Sequence, residues 1–130
     1  MRALKVVTMV LSVSSLVALA VVVPAWGQGA WTAPADAKNR QNPVKGFAGG
    51  AKAVAVNCVM CHGASGKGDG QQAVGLPVKP ADWTSEAVQK QTDGELFWKI
   101  STGRGPMPPW KHIPEKDRWE IVNYIRKLKK

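Results

Sequence analysis

Cys58-Val59-Met60-Cys61-His62 is the stretch on which the reading of this 130-residue chain turns. It is a C-x-x-C-H motif, in which two thiols can lie on one side of a helical turn and bond the two vinyl groups along one edge of a haem. His62 is then held beside the iron as an axial ligand. A chance match in so short a chain is on the order of one in a thousand. Other chemistries suit the pair less well. A disulfide between Cys58 and Cys61 would restrain little of the chain, and a thioredoxin-like redox pair needs a βαβ setting that the flanking sequence lacks. Zinc needs about four ligands; the chain has two cysteines and two histidines in all, and His112 has no partner at finger spacing.

Working outward from the motif, the apolar pattern is helical. Asn42-Pro43 has the form of an N-cap and first turn, and Val44, Phe47, Ala48, Ala51, Val54 and Ala55 then recur at three- and four-residue spacing. This predicts a first helix leading into Cys58, with Gly49-Gly50 weakening its centre. Beyond the motif, Gly63, Gly66, Gly68, Gly70 and Gly75, followed by Pro77 and Pro80, predict a long loop. In a small domain such a loop needs something to wrap around. Thr92 and Glu95 form a capping box for a second helix with an apolar face of Leu96, Phe97 and Ile100, ending at Gly103. Pro106, Pro108 and Pro109 then make 103–110 rigid and non-helical. Pro114 opens a last helix with Trp119, Ile121, Val122, Ile125 and Leu128 inward and basic residues at its C-terminal end. No segment alternates as a strand does, so the expected fold is all-α with long ordered loops.

The N-terminus has a different character. Arg2 and Lys5 precede an apolar run from Val6 to Val23, and Ala25 and Gly27 offer a cleavage site after Gly27. Residues 1–27 therefore read as a signal peptide, with an uncleaved membrane anchor as the alternative, since the run reaches the lower limit for a span. Either way the domain is exported, with the basic end left in the cytoplasm. Residues 28–41, a mixture of Gly, Ala, Pro, Asn and charges, are expected to be a flexible lead-in to a domain over 42–130. The formal charge of +9 falls to +7 once Arg2 and Lys5 are removed. That surface suits docking to acidic redox proteins or anionic membranes. Nucleic acid is a poor fit, because the basic residues are scattered and export takes the protein away from it.

Taken together, Cys58 to Gly63, Gly66-Lys67-Gly68-Asp69-Gly70, Lys79-Pro80-Ala81-Asp82, Asp93 to Trp98, Met107-Pro108, and Trp119 with Val122-Asn123-Tyr124 resemble the class I monohaem cytochromes c of bacteria. The resemblance covers most of the chain after Asn42. It implies terminal helices that cross beside one covalent haem c, a second axial ligand from a loop methionine, and a periplasmic single-electron carrier that is not itself an enzyme. Of the four methionines, Met1 and Met9 lie in the export segment and Met60 is confined within the attachment loop, which leaves Met107 between two prolines; His112 is the other candidate, and ligation by two histidines would lower the reduction potential. Trp83, Trp98, Trp110, Trp119 and Tyr124 are expected to pack the core or the haem. The family often has a proline after Gly-Asp-Gly, whose carbonyl accepts a hydrogen bond from the axial histidine. Gln71 stands there in this chain, so the carbonyl of Gln71 or Pro77 is the expected acceptor. Two rival functions remain open: a haem enzyme or ligand sensor with an open sixth iron position, and a cytochrome subunit of a membrane oxidoreductase complex.

Overall fold

The computed structural model describes residues 30–130, and the expected signal peptide lies outside them. Six α-helical segments follow in order: α1 (Ala35–Lys38), α2 (Ala48–Asn57), α3 (Val59–His62), α4 (Glu86–Gln89), α5 (Asp93–Thr102) and α6 (Glu115–Lys127). A short 3-10 turn, Ala73–Gly75, stands between α3 and α4. There is no β-strand among the described residues; one isolated bridge joins Arg104 and Met107. The all-α expectation holds.

The core forms where α2 and α5 pack on α6. Val54 from α2 and Leu96, Phe97 and Ile100 from α5 meet Trp119, Ile121, Val122 and Ile125 from α6. Phe97 and Trp119 stack with centroids 3.9 Å apart. The glycine pair expected to weaken α2 is what allows its crossing with α6. A Cβ on Gly50 would lie 2.2 Å from the Glu120 carbonyl carbon and 2.4 Å from the Ile121 nitrogen, so only glycine admits this approach.

Helix α2 starts at Ala48, later than the Asn42 expectation. The side chain of Asn42 is engaged elsewhere: its Oδ1 accepts from Val44 N at 2.9 Å, and its amide donates to Asn123 Oδ1 at 2.8 Å. Asn123 Nδ2 in turn donates to the carbonyls of Val44 and Gly46 at 2.9 and 2.7 Å. The segment is thereby sewn along α6, and its carbonyls are unavailable to a helix. Phe47 at the N-cap offers no capping side chain, and the need is met by buried Glu120 of α6, whose Oε2 accepts from Gly49 N at 2.5 Å and Gly50 N at 3.2 Å. A carboxylate there satisfies orphan N–H groups and complements the helix dipole. Lys116 pairs with the other oxygen of Glu120.

The expected helix after Thr92 is present with both halves of its capping box. The stretch read as a flexible lead-in packs on α5 from Trp31 onward. Ala33 and Ala37 are buried, Thr92 Oγ1 donates to Lys38 O at 2.7 Å, and a Cβ on Gly94 would lie 2.1 Å from Ala37 O. A single helical turn held by such contacts is too short to produce an apolar period, which is why the pattern did not reveal it.

The Glu120 carboxyl is held below its ordinary range, first by the bond from Lys116 and further by the Gly50 and Gly49 amides. A depressed folded-state value gives stability that is present above the unfolded value and lost as pH falls through the folded one. Glu120→Gln is therefore expected to unfold at a lower temperature than wild type at pH 7 and to lose less stability between about pH 5 and pH 3. Thermal unfolding across that range checks this; parallel pH curves for the two proteins would contradict it.

Candidate functional site

Cys58 sits at the break between α2 and α3, with φ −113° and ψ −32°. Its carbonyl accepts from Cys61 N at 3.1 Å and His62 N at 2.8 Å, closing one tight turn over the motif. Both cysteines are free and half-buried. Burial, and then the charge of Cys61, push the Cys58 thiol up to about 11, so at neutral pH it is a protonated thiol. The Cys61 thiol is 3.6 Å from Gln72 Oε1.

The glycine-rich loop folds back onto this turn. Gly68 N donates to His62 O at 2.8 Å, Gly70 N to Cys61 O at 3.1 Å, and Gln72 N to Met60 O at 2.8 Å. These bonds satisfy the last carbonyls of α3, which no further helical turn could reach. The fit is close enough to require glycine at two points. A Cβ on Gly70 would lie 2.4 Å from Met60 O; Gly68, at φ +70°, would bring one to 2.2 Å from Pro80 O. Trp83 N donates to Gly66 O at 2.7 Å and closes the loop.

That closure places a carbonyl against the histidine. His62 Nδ1 lies 3.1 Å from Ala81 O, and because a carbonyl can only accept, Nδ1 carries the proton in this bond. Neither Gln71 nor Pro77, the expected providers, is the partner. The ring stacks on Trp83 with centroids 4.3 Å apart. Burial lowers the basicity of His62, opposed by the Ala81 bond. A neutral imidazole has one N–H, and spending it on Ala81 leaves the Nε2 lone pair to coordinate a metal. Trp83 was expected only as a packing aromatic, and nothing in residue type singled out Ala81, whose contribution is a backbone atom.

Met107 lies in the loop between α5 and α6. It exchanges backbone hydrogen bonds with Arg104, Arg104 N to Met107 O at 2.8 Å and Met107 N to Arg104 O at 3.0 Å. At the root of the loop, Gly103 has φ +62°, and a Cβ there would lie 2.4 Å from Met107 O. Trp110 N donates to Ile100 O at 3.1 Å and ties the far side to α5. Met107 packs against the same core cluster as Cys58 and Val59. Met60 is 43% exposed, and His112 is exposed with its ring against Trp110.

The model of a family described as cytochrome C oxidase, cbb3-type, subunit III, matches residues 46–125. Solved structures are also similar, and two of them show the match. One is described as the Kuenenia stuttgartiensis reducing HAO-like protein complex Kustc0457/Kustc0458. Its TM-score is 0.53 at 29% identity, and the match covers 63% of this chain but only 43% of that one. The other is the KustC0563 c-type cytochrome, with a TM-score of 0.54 at 25% identity over 62% of this chain and 98% of that one. No curated protein matches.

Two glycines of the loop separate its packing from its flexibility. Gly68→Ala meets both the Pro80 carbonyl and an unfavourable φ, and is expected to cost about 2–4 kcal/mol. At Gly75 an added Cβ has nothing within 4 Å, so Gly75→Ala is expected to stay within about 1 kcal/mol of wild type. Denaturant unfolding of the two variants checks this, and equal losses would contradict it.

Proposed function

The chain belongs to the family of cytochrome c oxidase, cbb3-type, subunit III, a family of c-type cytochromes that transfer electrons by haem, and on that footing we propose how it does so. One haem c is bound covalently by Cys58 and Cys61, with His62 Nε2 and the Met107 sulfur as axial ligands. The observation that carries this reading is the bond from His62 Nδ1 to Ala81 O, beside two free thiols three positions apart. The donor set suits the group: two thiols for attachment, an imidazole with one nitrogen committed and the other available, and a thioether in a rigid loop on the same core.

When bound, haem supplies a one-electron couple between ferrous and ferric iron. The chain's part is to keep both axial positions filled and the surroundings unchanged in the two states. Ala81 holds the imidazole in one tautomer and orientation, and Trp83 covers the ring. The bridge between Arg104 and Met107, with a proline on either side of the methionine, restrains the thioether. With His62 and Met107 in place there is no open position for a substrate, so the protein acts as a carrier.

Residues 1–27 act as an export signal or membrane anchor, and the carrier works in the periplasm between redox proteins. Lys67 and Lys79 both lie near enough to Asp82 to affect its carboxyl. They flank the segment that holds Ala81 and form a basic surface for an acidic partner, so electron transfer slows as salt rises. A second reading, a relay subunit within an oxidoreductase complex, draws support from the family description and from the first structural neighbour, itself part of a complex.

Absorption spectra of the protein, made with a cytochrome c maturation system, test the ligand set. Wild type is expected to be low-spin when oxidised and when reduced, with a weak red sulfur-to-iron band. Met107→Ala is expected to lose that band and to bind carbon monoxide rapidly when reduced. A high-spin wild type, itself quick to bind carbon monoxide, would overturn the carrier reading in favour of a haem enzyme or sensor.

A further inference from the structure

A cleft of about 220 Å3 opens beside α5 and α6, and its lining includes no residue of the attachment motif or of the loop from Gly63 to Trp83. Phe97 and Trp98 contribute apolar surface, and Arg40, Lys111 and Arg118 contribute three cations against one acid, Glu115, for a net +2. Both guanidiniums are stationed on the same ring, Arg40 at 4.8 Å and Arg118 at 4.7 Å from the Phe97 centroid. Arg118 is further held by Ile113 O, 3.0 Å from its Nε, and by the Ser101 hydroxyl at its Nη1. The two guanidiniums are thereby held over one ring, and the exposed Lys111 lines the same cleft.

Glu115 is already committed. Its Oε1 accepts from Arg40 Nη2 at 2.8 Å and from Trp119 Nε1 at 3.4 Å. Lys111 is exposed and pairs with no acidic side chain among the described residues, while Arg118 uses Nε and Nη1 on Ile113 and Ser101. The site thus has an excess of positive charge and an apolar wall, with one carboxylate against three cations.

We propose that this cleft binds a small doubly charged oxyanion, a dicarboxylate or a phosphate, between Lys111 and the guanidiniums of Arg40 and Arg118. Such a ligand supplies the two missing charges and accepts charge-assisted hydrogen bonds from these cations. It also braces the segment after Met107, which is tied to the cleft through Arg118 and Ile113.

The test is NMR on the holoprotein, titrated with succinate or with inorganic phosphate at an ionic strength held constant with sodium chloride. The Trp98 indole signal is expected to shift and saturate while that of Trp83 stays in place. Lys111→Ala is expected to weaken the apparent Kd by about tenfold. Lys79→Ala, which removes the same charge elsewhere, is expected to change it by less than about twofold. Saturation with succinate alone assigns a dicarboxylate, and saturation with phosphate alone assigns a phosphate. Shifts that saturate with neither anion, or that Lys79→Ala weakens as much as Lys111→Ala, overturn the site.

Discussion

Gly50 lets α2 lie so close to α6 that one added carbon would overlap the backbone at Glu120. Much else depends on that approach. It brings the amides of Gly49 and Gly50 within reach of the Glu120 carboxylate, so that α6 caps α2 from outside the helix. It seats Val54, 2% exposed, in the core with Trp119 and Val122. Because α2 runs directly into Cys58, the crossing also sets where the C-x-x-C-H turn emerges. A methyl group at position 50 would therefore disturb packing, capping and the delivery of the motif together.

From Cys58 onward, backbone hydrogen bonds set the structure more than side chains do. A single helical turn leaves its final carbonyls without partners, and a long loop offers amides without partners; folding one onto the other satisfies both. Glycine at 68 and 70 is the condition for that contact, since any side chain there would meet a carbonyl. The same folding returns Pro80 to Trp83 beside the motif, where one carbonyl fixes the imidazole and one indole covers it. The loop is thus the means by which a five-residue motif acquires an oriented imidazole.

The parts of this structure legible in the sequence are those whose signals are local. The capping box of Thr92 and Glu95, the break at Gly103 and the amphipathic α6 each depend on residues a few positions apart, and each was found where expected. Asn42 shows the limit: its residue type suits an N-cap, but Asn123, far along the chain, claims its side chain. Glu120 falls on the buried side of α6, where a carboxylate looks misplaced until α2 supplies its amides. The turn at Ala35–Lys38 is too short to have a period, and the acceptor for His62 is a backbone oxygen that no residue type advertises. Apart from that short turn, what stayed hidden was a long-range contact.

The central claim is that Cys58 and Cys61 hold one haem covalently. Intact mass spectrometry under denaturing conditions tests it most directly, on protein made in a host with cytochrome c maturation. The account predicts a mass above that of the polypeptide by one haem, and the polypeptide mass alone when Cys58 and Cys61 are both replaced by alanine. A wild-type protein that shows only the polypeptide mass would contradict it.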